Sequence, residues 1–240
     1  MSLVVYGDFS CPHSYLASRR VDALDAAGVD VDWRAVEGDP TLPVTGRLFG
    51  PSNQRAMAAA EALLAADEHL PWTPPELVPK TQAAISGYAE AYGAGVGLDA
   101  RRVLFAAYWV DGADIGDPEV LRTRLVGPML RGSTAVGTLR MSGFAVSANR
   151  GPITTEAWRR IANWQAEWMA LGSPELPGII DADDVPTVGE DALRWLEKQL
   201  TGRDLNAVLA DPARYPELAG RPGLSWVSQV GGPWARAWMA

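Results

Sequence analysis

The apolar run Leu3-Val4-Val5-Tyr6 reads as a short strand, and residues 12–27 behind it read as an amphipathic helix. Gly28 fits the position just past the helix end, where glycine takes a left-handed backbone at little cost. Val29, Val31, Trp33 and Ala35 then alternate with Asp30, Asp32 and Arg34, the period of a half-buried strand. Strand, helix, strand in this order predicts a parallel pair joined by a right-handed crossover. Asp39-Pro40 through Gly50-Pro51 is rich in breakers and reads as a long connection.

From about 52 to 150 the pattern turns helical. Ala56, Ala60, Leu63 and Leu64 form one stripe, and Ala84, Tyr88, Ala91 and Tyr92 form another. Asp99 is expected to cap the next helix, with Leu98 and Val103 spaced as a hydrophobic staple. Asp117-Pro118-Glu119 supplies a cap, a first-turn proline and a first-turn acid for a further helix. No strand is expected in this block, which therefore reads as an all-α insertion.

The alternating grammar returns after 150. Thr154 begins a helix with Trp158, Ile161, Trp164 and Trp168 on one stripe. That stripe reads as core, with part of it available to line a hydrophobic substrate cleft. Pro177–Asp181 and Val185–Val188 read as two strands joined by the turn Ala182-Asp183-Asp184. Gly189-Glu190-Asp191 opens a last helix with Leu193, Leu196 and Leu200 inward and its acids at the positive end. The fold class is α/β, with a core formed by 1–45 and 151–201, a helical insertion at 46–150, and a tail at 202–240. The tail carries Trp226, Trp234 and Trp238, and is expected to dock on the body or on a second subunit, which leaves a homodimer open.

Composition narrows the classes of function. A hydrophobic fraction of 48% and ten tryptophans in 240 residues supply a large core. A formal charge of -8 argues against general nucleic-acid binding, which needs a basic face. No apolar stretch reaches about 18 residues, so no membrane span is expected. The start Met1-Ser2-Leu3 has no basic region, so no signal peptide is expected, and a single cysteine forbids an intramolecular disulfide. These features predict a soluble, cytoplasmic protein.

That single cysteine is the sharpest chemical signal. Cys11 follows the first strand and precedes Pro12, a residue suited to the first helical position because its missing N–H needs no partner there. Cys11 is then the N-cap, its sulfur facing the free N–H groups of His13 and Ser14. The positive helix end favours thiolate, so a depressed thiol pKa is expected, and a charged His13 would depress it further. Ser14 is placed to donate a hydrogen bond to the sulfur or to a bound thiolate. Asp8 reads as a solvated strand-end acid, with proton relay as the alternative. His69, beside Leu70-Pro71, reads as a surface residue, and two distant histidines with one cysteine make no metal site. Gly93-Ala94-Gly95-Val96-Gly97 follows a helix rather than a strand, so it is a connection and not a dinucleotide loop.

The element order, together with Asp8-Phe9-Ser10-Cys11-Pro12-His13-Ser14-Tyr15-Leu16-Ala17, resembles the DsbA-like branch of the thioredoxin superfamily over roughly 3–201. Leu176-Pro177 before the penultimate strand, Leu104–Tyr108 and Asp114–Asp117 add to that resemblance. It implies a thioredoxin-like fold, and a cis-proline at Pro177 that docks an extended substrate or glutathione together with Leu176 and Pro12. DsbA-like oxidoreductases carry Cys-Pro-His-Cys, and here Ser14 stands at the resolving position. Kappa-class glutathione transferases and 2-hydroxychromene-2-carboxylate isomerases carry Asp-x-x-Ser-Pro-Tyr-Ser-Tyr-Leu-Ala. Against that pattern Cys11 replaces the serine and His13 the tyrosine.

Three functions follow as expectations. The first is thiol–disulfide exchange on a small-molecule thiol or disulfide, with Cys11, His13 and Ser14 as catalytic residues. No tightly bound cofactor is expected for it. Glutathione or another low-molecular-weight thiol would complete turnover, since Cys11 alone cannot run a two-cysteine cycle. The second is a glutathione-dependent isomerase or transferase. The third is a non-catalytic binding protein of the same fold.

Overall fold

The computed structural model describes residues 2–66, 68–132 and 145–202. The expectation for the tail lies outside these residues. Strand β1 (Leu3–Gly7), helix α1 (Pro12–Ala26) and strand β2 (Val31–Ala35) form the N-terminal unit, with β1 and β2 parallel and Val5 level with Trp33. Gly28 sits just past α1 at φ +86°, as the helix-end reading requires.

A short antiparallel hairpin follows, β3 (Arg47–Leu48) and β4 (Leu77–Val78), with α2 (Pro51–Glu61) between its strands. This corrects the expectation of a strand-free insertion. Two-residue strands leave no periodicity to read. Helix α2 also stops short of the predicted stripe: Ala60 is buried within it, while Leu63 and Leu64 lie beyond its end. Helices α3 (Gln82–Gly93), α4 (Gly97–Trp109) and α5 (Pro118–Arg131) complete the block. Asp117 caps α5 by accepting a hydrogen bond from the Glu119 N–H at 2.9 Å. Asp99 does not cap α4. That helix begins three residues earlier, at Gly97 after Val96, and Asp99 sits inside its first turn, so no Leu98–Val103 staple forms. Val96 N–H bonds back to Ala91 at 2.9 Å and continues the α3 end into the α4 start, leaving no room for a loop before Asp99.

The chain then returns to the sheet through α6 (Thr155–Ala170), capped by Thr154, then β5 (Gly178–Ile180), β6 (Pro186–Val188) and α7 (Gly189–Leu200). The strand order is β2-β1-β5-β6, with β5 antiparallel to β1 and to β6. Alternation splits the strand residues between two faces. Tyr6 and Gly178 are cross-strand partners, and both meet Trp168 of α6. A Cβ at Gly178 would lie 2.6 Å from that indole, and one at Gly7 would lie 2.3 Å from the Trp33 indole on the other face. These two glycines are the price of packing tryptophan flat on the sheet. On the Trp33 face an aromatic cluster joins sheet to insertion: Phe105 of α4 stands edge-on to Trp33 and stacks with Tyr15 of α1. Trp164 and Trp168 are core as expected, but Trp158 is 50% exposed, because Ala157 takes the buried position in the first turn of α6.

Two buried ion clusters tie α1 to its surroundings. Arg20 donates through Nε and Nη2 to both Glu68 oxygens, at 3.0 and 2.6 Å, and through Nη1 to the Leu193 carbonyl of α7. Asp22 accepts from Arg101 Nη2 at 2.5 Å and from Arg102 Nε at 3.0 Å.

Candidate active site

Strand β1 ends at Gly7 and a tight turn carries the chain into α1. Cys11 N–H bonds to the Asp8 carbonyl at 3.1 Å, and Ser10 donates through both N–H and Oγ to Asp8 Oδ1 at 2.7 Å. The turn is anchored from the insertion by Trp109, whose indole N–H donates to the Phe9 carbonyl at 3.0 Å. Cys11 takes the N-cap position in extended conformation, and Pro12 is the buried first helical residue, as the residue order demands.

Asp8 is not the solvated acid expected from sequence. It is 3% exposed, and its second oxygen accepts from Gly38 N–H at 2.8 Å and Thr81 Oγ at 3.0 Å. Those partners arrive from the loop after β2 and from the start of α3, which no local pattern reveals. Asp8 N–H in turn donates to Ser14 Oγ at 3.2 Å, and Ser14 is fully buried.

The thiol environment also differs from expectation. Cys11 keeps part of its surface open, yet burial of the sulfur pushes its pKa above the ordinary thiol value, and the nearby Asp8 charge acts in the same direction. The Ser14 hydroxyl and the N–H groups of Ser14 and His13 favour the thiolate, but these contacts are too loose to count as capping hydrogen bonds. Desolvation outweighs the helix end here. His13 is not the expected cation either. Burial lowers its pKa below the ordinary imidazole value, with Glu190 and Glu175 opposing that shift, so it is neutral at pH 7.

The second half of the site comes from the far end of the chain. Pairing of Tyr6 with Gly178 sets Pro177 level with Gly7, at the sheet end that bears Cys11. The Leu176-Pro177 bond is cis, as the resemblance implied. Pro177 is buried, its carbonyl accepts from Gly189 N–H at 2.8 Å, and Leu176 makes no backbone hydrogen bond among the described residues. Leu176 and Asp8 approach each other across Gly38, where a Cβ would lie 3.1 and 3.5 Å from their side chains.

Sequence reasoning missed Glu175, Thr81 and Gly38 as parts of this region, and took Glu190 as a helix-end acid alone. Glu175 precedes Leu176-Pro177 directly, which was the one available signal. His69 is exposed, as expected. Among the described residues no group of three or more His, Cys, Asp or Glu is arranged to hold a metal ion. The arrangement can offer a thiol close to the buried Ser14 hydroxyl, a neutral imidazole two residues further along α1, and a Leu176 backbone that makes no hydrogen bond among the described residues.

Comparison with known proteins agrees with this architecture. The fold matches a probable DsbA oxidoreductase of Streptomyces coelicolor at TM-score 0.59 and 18% identity, covering 84% of this chain and 88% of that one. The cytosolic disulfide reductase DsbM of Pseudomonas aeruginosa, solved with GSH, matches at TM-score 0.53 and 17% identity, covering 83% and 99%. A 2-hydroxychromene-2-carboxylate isomerase matches at TM-score 0.52 and 20% identity, covering 88% and 100%. No curated protein matches the sequence. The DSBA-like thioredoxin domain matches residues 2–126, more than half of the chain, and this protein belongs to that family.

Proposed function

We propose that this protein is a thiol–disulfide oxidoreductase that works through Cys11 alone, in the cytosol, on a mixed disulfide of a low-molecular-weight thiol. The observation that carries the reading is the placement of a partly open Cys11 at the N-terminus of α1, at the sheet end where the cis Leu176-Pro177 peptide also lies. The Cys11 thiolate attacks the sulfur of a glutathione-type mixed disulfide, and an S–S bond to Cys11 forms as the substrate thiolate leaves. A second molecule of the small thiol then attacks that bond. It releases Cys11 and departs as the symmetric disulfide, so one substrate disulfide is reduced for one small disulfide formed. Ser14 and the first-turn amides of α1 stabilise the thiolate on attack and on departure. Neutral His13 can accept the proton of Cys11 or return it to the leaving thiol.

Mass spectrometry after incubation with oxidised glutathione tests this, alongside turnover with hydroxyethyl disulfide. A glutathione adduct on Cys11 and turnover lost in Cys11→Ser support the reading. Absence of both on the wild-type protein overturns it and favours a binding protein.

A second reading is favoured by the raised thiol pKa. A protonated Cys11 is a hydrogen-bond donor, suited to hold the thiolate of bound glutathione in an isomerase or transferase of an aromatic substrate. Glutathione binding retained in Cys11→Ser, without any adduct on the wild type, marks this alternative.

A further inference from the structure

A cavity of about 220 Å³ opens at the other end of α1, between that helix, β2 and the α3–α4 junction. Val21 and Asp25 on its wall lie ten and fourteen residues beyond Cys11, so about 15–21 Å along the helix. It is separate from the site described above. A 150 Å³ apolar cavity holds a benzene molecule, so this one has room for about one aromatic ring with a small substituent.

Its walls define what fits. Trp33, Tyr88 and Tyr92 supply aromatic surface, and Val21, Val31 and Leu98 supply aliphatic surface. Among the described lining residues one cation stands with them. Arg101 is 2% exposed, its guanidinium lies 5.0 Å above the Trp33 ring, and Nη2 is held by Asp22 at 2.5 Å. Its Nε is buried and has no hydrogen-bond partner among the described residues, although a buried donor left unpaired is costly. Gly97 and Leu98, the first residues of α4, line the same space, and no side chain caps that helix. Their N–H groups and the helix end favour an anion beside Arg101, the first-turn acid Asp99 being paired with Arg131 at 2.8 Å. Asp25, also on the lining, disfavours a second negative charge.

We infer that this cavity is a binding site for a small aromatic monocarboxylate, with the ring against Trp33, Tyr88 and Tyr92 and the carboxylate at Arg101 and the start of α4. A charge-assisted pair at a planar guanidinium gives such a site its polarity, and the aromatic walls give it its shape.

The test is calorimetric titration of the full-length protein with benzoate, benzyl alcohol and phthalate. Benzoate is expected to bind one site with Kd at or below about 1 mM, and the neutral alcohol and the dianion at least about tenfold more weakly. Arg101→Lys keeps a charge for Asp22 but loses the planar fork, and is expected to weaken benzoate by about tenfold or more. Leu98→Trp, at a rim position 36% exposed, plugs the cavity without disturbing the core and is expected to abolish binding. Cys11→Ser is expected to leave the affinity unchanged. No saturable binding by the wild type overturns the inference, as does full binding by Leu98→Trp. Loss of binding in Cys11→Ser also overturns it, by placing benzoate in the thiol cleft.

Discussion

Trp109 donates its indole N–H to the carbonyl of Phe9 at 3.0 Å, and so the last residue of α4 holds the turn that presents Cys11. Trp109 is fully buried and lies parallel to Tyr15 of α1, with ring centroids 6.0 Å apart and planes 4° from coplanar. The helical insertion is therefore a structural support of the cysteine turn. Trp109→Phe keeps a ring but leaves the Phe9 carbonyl without its donor. It is expected to cost about 2–4 kcal/mol in urea unfolding, from the unpaired carbonyl plus the lost volume.

Ser14 is expected to set how readily Cys11 ionises. Its hydroxyl favours the thiolate against burial and the Asp8 charge, so Ser14→Ala raises the thiol pKa further. Alkylation by iodoacetamide at pH 8 should slow by roughly two- to tenfold, the equivalent of one hydrogen bond. In the wild type the rate should still be climbing above the ordinary thiol value of 9.0. A plateau near neutral pH would contradict the burial argument.

His13 links stability to acidity. Its folded pKa lies below the unfolded value of 6.5, so the unfolded chain binds more protons once the pH falls below that value. The contribution is fully present above pH 6.5 and is lost as the pH falls through the folded value. Glu175 and Glu190 face His13 and reduce the effect. Urea midpoints measured from pH 7 to pH 5 should fall more steeply for the wild type than for His13→Gln.

The Arg20–Glu68 pair is expected to behave as a buried unit. Both side chains are at most 3% exposed, and Arg20 also bridges to the carbonyls of Leu63 and Leu193. Glu68→Gln takes away the buried carboxylate and leaves Arg20 only the more distant, exposed Glu197 at 3.7 Å as ion partner, and should cost about 3 kcal/mol. The double variant Arg20→Met/Glu68→Gln should cost less than the sum of the two single changes, and strict additivity would show that the pair is not coupled.

Much of the architecture was legible because its signals are local. Asp117 and Thr154 start helices through their own side chains, Pro12 starts α1 through its fixed backbone, and Gly28 ends that helix through its own backbone freedom. Alternation at Val31–Ala35 exposed β2 in the same way. Where two signals competed, the local reading failed. Asp99 is a good cap in isolation, but the close packing of α3 against the α4 start moved the helix boundary to Val96.

The candidate site divides along the same line. Sequence by itself determined that the lone Cys11 stands at a helix N-terminus after a strand, and that Leu176-Pro177 precedes another strand. Tertiary structure alone decided how charged these groups are. The thiol pKa rises because the sulfur is buried among distant parts of the chain, and His13 is neutral because burial outweighs Glu175 and Glu190. Asp8 is dry because Gly38 and Thr81 close over it. Helix starts depend on neighbours within about four residues, whereas desolvation depends on every atom within a few ångströms, whatever its place in the chain.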